Sequence, residues 1–289
     1  MNSHQNTQPA LIAKNLLQAQ FLYGIYCLAG FLLLLDRKQR PYWKMQFSDI
    51  HGSIFMYMFT QPSDIENLGH GAFVELTAEV KNYGNKHYIE ILTLKKTSNN
   101  QVVDQVALSN LPAKYCHNID SLKRFHHVLT MIENKSLLHF IADVIVPMDI
   151  CVPFFQAPAS LNYHHNYSGG LFDHTVEVAE IVSTLPLQTQ IEKELAITGA
   201  IFHDIGKVKS LDSRMKRLET GQWVDHSALT LEICAQGLSK LEQNNSLFSN
   251  ILRNTWTCAS PGARYGYQPK TAVAEAVQMA DRFSAKITS

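Results

Sequence analysis

The chain has no CxxC pair, and its five cysteines, at 27, 116, 151, 234 and 258, are odd in number and scattered. That excludes a secreted disulfide framework and makes a reducing cytoplasm the expected compartment. Charge is also scarce, at 17% of residues, and balanced: Lys+Arg and Asp+Glu each number 25. A strongly basic nucleic-acid coat and a polybasic membrane binder are thereby excluded, whereas a local basic groove is not. No uninterrupted apolar run reaches spanning length. Phe21–Leu35 is almost wholly apolar, but a membrane helix needs about 20 such residues, and Gln18 and Gln20 interrupt the stretch before it. Only Lys14 precedes this run, and no small-residue cleavage site follows, so a signal peptide is not indicated. The segment reads as part of a folded domain, and no membrane partner is expected. The sequence carries no signal of oligomeric state.

What is present is globular: 289 residues, 46% apolar, enough for two domains. Thirteen histidines point towards metal or proton chemistry. Residues 1–27 have no evident role. From 28 to 98 the pattern is short strands and turns. Tyr42–Phe47 alternates, Asp49–Gly52 is a turn, Ser53–Phe59 is aromatic and β-branched, Phe73–Val80 alternates again, and Asn82–Asn85 is a hairpin signal before Lys86–Leu94. Five closely connected strands predict an all-β OB-type barrel. Such barrels bind single strands through stacked aromatics and basic side chains, and Tyr42 and Trp43, with Tyr57, Tyr83, His87 and Tyr88, are the candidates. Net charge is no guide, because residues 30–98 hold 8 basic and 7 acidic side chains.

Residues 99–157 read as a linker followed by two amphipathic helices, around Ile119–Ile132 and Leu137–Ile145, which are expected to connect and pack the two domains. Residues 158–289 are predicted all-α. Within them His203-Asp204 lies in an apolar stretch, Ala196–Ile205, read as one helix. Burying both side chains beside Ile201, Phe202 and Ile205 is costly unless they are paired or hold a metal. His174 and Asp281 complete a set of two imidazoles and two carboxylates from three helices. That mix suits Mn, Fe, Co, Ni or Zn better than Ca or Mg. Lys207, one turn after His203, shares its face and is a candidate to hold a phosphate oxygen.

The pattern His174…His203-Asp204…Asp281 resembles the signature of the HD-domain phosphohydrolases. The double His164-His165 before Gly169-Gly170-Leu171, the segment Gly221-Gln-Trp-Val-Asp-His226, and Pro269…Glu275-Ala276…Asp281 make the chain similar to the YhaM-type 3′–5′ exoribonucleases. In that family an OB barrel precedes the HD domain. The resemblance covers about residues 28–286 and implies a metal-dependent 3′–5′ exonuclease on single-stranded RNA or DNA. Metal ligands would be His174, His203, Asp204 and Asp281, with Asp204 and Lys207 catalytic. His164, His165, Lys209, Arg214, Lys216 and Arg217 would line the path of the nucleic acid.

One segment departs from the family. Where those relatives carry Ser-His-His-Gly before the last helix, this chain has Trp256-Thr-Cys-Ala-Ser-Pro-Gly262. A second ion would have only His226 and Cys258, so one divalent transition-metal ion per chain is expected, with His226 free for substrate. Two alternatives stay open. One is a phosphohydrolase acting on nucleotides; the other is a weakly active or inactive HD accessory protein of nucleic-acid metabolism or DNA mobilisation, resembling the MobH relaxases.

Overall fold

The computed structural model describes residues 20–62, 68–84, 86–97, 104–260 and 262–287. They form two compact units divided between Lys114 and Tyr115.

The first unit is a closed five-stranded barrel in the order β1-β2-β3-β5-β4, with β1 Phe21–Leu35, β2 Pro41–Asp49, β3 Gly52–Met58, β4 Ala72–Tyr83 and β5 Lys86–Lys96. All neighbours are antiparallel except β3 and β5, which are parallel. This is the OB-type architecture. The barrel begins at Phe21 rather than at 28, which corrects the expected boundary. The apolar run that resembled a spanning segment is one long strand. Its first half pairs with β4 and its second half with β2, with an irregular register between Leu28 and Gly30. Serving two neighbours in turn keeps Tyr26, Cys27, Leu28 and Ala29 all buried, so alternation is lost there. Residues 1–19 lie outside the described residues.

Leu22, Tyr26, Met45, Phe47, Met56, Val74 and Leu76 fill the interior. Each such side chain contributes about 1.5–3 kcal/mol on burial. The β2–β3 turn is closed by Asp49, whose carboxylate accepts from the amides of His51 and Gly52. Helix α1 (Asp104–Ser109) ends this unit, its last residue accepting from the Ile50 amide.

The second unit is helical: α2 Ile119–Leu129, α3 Lys135–Ile145, α4 Met148–Gln156, α5 Gly170–Thr184, α6 Gln190–Phe202, α7 Thr220–Trp223, α8 His226–Asn244, α9 Ser246–Thr257 and α10 Ala272–Ile287. The two amphipathic helices expected to be inter-domain connectors belong to this unit, α2 packing on α5 and α3 on α8. Among the described residues no single helix is long and apolar enough to cross a membrane; only the bent pair α3–α4, at 82°, passes on length and composition together. The apolar side chains of α3, Leu137 to Ile145, are spent on the core.

Helix α6 starts at a reciprocal cap, Thr189 with Glu192, and every residue from Glu194 to Phe202 is buried. Neighbours therefore surround it: α5, α9 and α10 pack on it, and Trp256 Nε1 donates to the Gly199 carbonyl at 2.9 Å. A central buried helix is what lets residues at its C-terminal end meet α5 and α10.

Candidate metal centre

Each ligand candidate is delivered by a specific local feature. On α5, Gly169 enters the helix at φ 89°, and a Cβ on Gly170 would sit 2.1 Å from the His165 carbonyl oxygen. The glycine pair thus lets the double-histidine segment lie against the start of α5, one turn before His174. The His203-Asp204 pair is not inside a helix, which corrects the reading of Ala196–Ile205. Helix α6 ends at Phe202, His203 is its cap, and Asp204 leaves the helical region at φ −116°, ψ 7°. A short 3₁₀ turn, Ile205–Lys209, follows. The cause is Gly206. A Cβ there would lie 1.9 Å from the His226 carbonyl oxygen and 2.7 Å from the Thr230 nitrogen, so the backbone of α8 packs directly on the turn. The Gly206 amide donates to Thr230 Oγ1 at 3.0 Å.

The outcome is convergence. His174 Nε2 lies 3.2 Å from His203 Nε2, 3.2 Å from Asp281 Oδ1 and 3.7 Å from Asp204 Oδ2. His203 Nε2 lies 3.5 Å from Asp204 Oδ2 and 3.7 Å from Asp281 Oδ1. Donors on one ion with bonds of about 2.1 Å stand about 3.4 Å apart in a tetrahedron; His174, His203 and Asp281 form the close group, and Asp204 adjoins it on the side of the two imidazoles. Tautomers fit as well. His203 Nδ1–H donates to the Ala200 carbonyl at 2.7 Å. Ser284 Oγ donates to Glu177 Oε2 at 2.8 Å, so it accepts from His174 Nδ1 at 3.1 Å. With a cation bound, both imidazoles would be neutral and turn an Nε2 lone pair inward, as these hydrogen bonds through Nδ1 allow. Two lone pairs and two carboxylates facing one point repel unless a cation lies between them.

The titration behaviour has the same sense. Burial opposes protonation of His203, yet the charges of Asp204 and Asp281 raise its pKa to about 9. Burial also opposes ionisation of Asp204, but Lys207 and His203 hold its carboxyl well below the usual range. For Asp281, burial is again outweighed, by hydrogen bonds from His174 and His203. In each case the cluster demands positive charge.

Lys207 reaches the cluster from the 3₁₀ turn rather than from a continued helix, and its Nζ donates at 2.5 Å to Asp204 Oδ2, the oxygen that also faces His203. The other oxygen, Oδ1, faces His226 Nε2 at 3.3 Å. His164 and His165 stand close by, each ring 5.3 Å from that of His174, and the three form a second group of potential ligand nitrogens. Burial, with the neighbouring His174 charge second, lowers the pKa of both. His165 Nε2 is 3.3 Å from Glu177, while its buried Nδ1 has no hydrogen-bond partner.

The remaining candidates are more dispersed. Lys209 is paired with Glu232 at 2.7 Å. The backbone amides of Arg214 and Lys216 wrap the Asp212 carboxylate, and Arg217 Nη1 donates to the Gly221 carbonyl. Cys258 borders the same cavity of about 350 Å³ as His226, Asp204 and Asp281. Its Sγ accepts from Gln278 Nε2 at 3.1 Å, and burial raises its pKa. On the barrel, Tyr42 joins Tyr57, Phe59 and Tyr88 in one cluster with ring centroids 5.8–6.3 Å apart. Trp43 instead packs on Phe31 and the barrel core.

Residues 171–286 match the HD domain family. The second unit carries an HD domain. HD domains are metal-dependent, in keeping with the donor set. The chain is also similar over most of its length to 3′–5′ exoribonucleases named YhaM. With that of Shouchella clausii it is 24% identical, over 89% of this chain and 83% of the relative. With that of Oceanobacillus iheyensis it is 24% identical, over 70% of this chain and 66% of the relative. A shorter stretch of 66 residues, 21% of this chain and 26% of the relative, is 35% identical to the dihydroneopterin 2′,3′-cyclic phosphate phosphodiesterase of Methanocaldococcus jannaschii. These similarities support a hydrolase of phosphodiesters. They also show the expected order, an OB-type barrel before a helical HD domain.

Proposed function

We propose that the protein is a metal-dependent phosphodiesterase that degrades single-stranded RNA or DNA from the 3′ end. The observation that carries this reading is the inward-facing set of His174, His203, Asp204 and Asp281, in a chain that also holds an OB-type barrel. A divalent transition metal there, Mn, Fe, Co, Ni or Zn, supplies Lewis acidity towards a phosphoryl oxygen and an acidified water. The chain's own residues do the rest. Asp204 divides its oxygens, Oδ2 towards the ligand cluster and Lys207, Oδ1 towards His226. It can therefore orient an attacking water with Oδ1 while Oδ2 stays with the ligands. Lys207 offers a fixed positive charge to phosphate, and His226, with its side chain 40% exposed, can bind a phosphate oxygen as the scissile group enters.

We further propose one ion per chain, because Cys258 is engaged by Gln278 and, among the described residues, His226 belongs to no group of three close ligand atoms, Asp225 approaching its other ring nitrogen, Nδ1. His164 and His165 would act as substrate contacts, as would the Lys209–Arg217 loop and Tyr42 with its aromatic neighbours. The decisive experiment combines metal analysis with degradation of 3′- and 5′-labelled single strands. The native protein should shorten 5′-labelled RNA or DNA stepwise from the 3′ end and stall at stable duplex. Asp204→Ala should lose both metal and activity while keeping its helical spectrum. Full metal occupancy in that variant would overturn the ligand assignment. The similarity to a cyclic phosphodiesterase favours a second reading, a hydrolase of small nucleotides. Efficient turnover of a 2′,3′-cyclic nucleotide with oligonucleotides left intact would select it.

A further inference from the structure

Beside the centre lies a cavity of about 460 Å³ that shares His226 and Lys207 with it. Its walls also include Tyr163 and Trp223, among the most exposed large side chains of the molecule at 77% and 83%. Two large aromatics left in water on one cavity, without a ring partner among the described residues, mark a binding surface.

Neither is loosely held. Trp223 ends the one-turn helix α7, which is pinned from below: a Cβ on Gly221 would lie 2.6 Å from Ser210, and Arg217 Nη1 binds the Gly221 carbonyl at 2.9 Å. The amide of Tyr163 donates to Ser160 Oγ at 2.8 Å, and that hydroxyl donates to the His164 carbonyl at 3.0 Å. The backbone thus fixes the points from which both side chains leave at the cavity, so only their side-chain torsions remain to be ordered by a ligand. The cavity is also lined by Arg217, whose guanidinium spends Nη1 on the Gly221 carbonyl and has no carboxylate partner among the described residues, so its positive charge is available to an anion. Exposed aromatic walls, a guanidinium with no carboxylate partner among the described residues, and a border on His226 and Lys207 match one class of ligand, a nucleoside 5′-monophosphate unit.

We propose that this cavity binds the terminal nucleotide of the substrate, its base stacked on Trp223 and Tyr163 and its phosphate near Arg217 and Lys207. The proposal rests on the reading that the centre cleaves nucleic-acid phosphodiesters, and it names the part of the substrate that this side of the site grips.

Calorimetric titration of the purified protein with AMP and with ribose 5-phosphate tests it. AMP should bind at least about tenfold more tightly, the effect of one stacked base. Trp223→Ala should remove that advantage and leave ribose 5-phosphate binding unchanged, and Trp223→Phe should restore most of it. Arg217→Ala should weaken both ligands. Equal binding of AMP and ribose 5-phosphate by the native protein, no AMP binding, or unchanged AMP binding in both Trp223→Ala and Tyr163→Ala would overturn the proposal. Because the readout is binding, the two readings separate. Intact AMP binding in a protein that leaves labelled strands whole would defeat the exonuclease and keep the subsite. Strand cleavage with no base-dependent binding would do the reverse.

Discussion

Asp204 faces two unlike regions. On its Oδ2 side stand the buried rings of His174 and His203, and each imidazole is backed by a second partner, a carbonyl for His203 and Ser284 with Glu177 for His174. On its Oδ1 side stands His226, open to solvent and bordering cavities of about 350 and 460 Å³. The Oδ2 side has the donor chemistry of an ion site. The Oδ1 side opens on space large enough for something bigger. The contrast teaches that ligand chemistry and substrate chemistry can be divided across a single carboxylate, provided the backbone around it is rigid.

The sharpest way to break the comparison is to separate the two sides. Gly206→Ala should do so with the largest effect, because the new methyl would overlap the His226 carbonyl at 1.9 Å. Overpacking of this kind costs about 1–3 kcal/mol or more. A fall in melting temperature is expected, with loss of any activity; a variant as stable as the native protein would show that α8 does not brace the turn.

Next in size is the support behind His174. Ser284→Ala removes the acceptor that orients Nδ1, and losses behind a ligand typically weaken metal binding about 10–100-fold. The variant should keep its fold and lose affinity in a chelator competition. Unchanged affinity would make Ser284 a packing residue only.

The dependence on pH should be smaller but regular. Metal must displace the proton that His203 carries below its pKa of about 9. Affinity should therefore rise about tenfold per pH unit from neutrality to about pH 9 and then level off. A flat profile over that range would mean that His203 is already deprotonated in the cation-free protein. The smallest effect belongs to the other side: Cys258→Ser should leave metal content at one ion per chain. Two ions in the native protein, with one lost on this substitution, would give Cys258 a ligand's role.

Much of this was legible in the chain. The alternation of Tyr42–Phe47 and Phe73–Val80 betrayed half-buried strands because each has one face on a core. His203-Asp204 stood out because such a pair is costly in an apolar run. What escaped did so for physical reasons. The strand Phe21–Leu35 lost its alternation where it bends between two neighbours and so resembled a spanning segment. Glu177 and Ser284 lie on helices among ordinary residues, and nothing local reveals that they meet behind His174; only the packing of α5 against α10 brings them together. Trp223 was visible only as one letter of a motif, and its role depends on a turn pinned by Gly221. The end of α6 at Phe202 needed the close approach of α8, a contact between residues 24 apart in sequence.

Lys207 has a consequence for how the molecule comes into being. A newly made chain must fold a buried carboxylate, Asp204, beside two imidazoles and a second carboxylate. Small zinc domains cannot complete such a step until the metal arrives. Here the neutralising charge is encoded three residues away, so the polypeptide brings its own placeholder. The ammonium lowers the cost of burying Asp204, so the helices can close around that carboxylate without an ion on it.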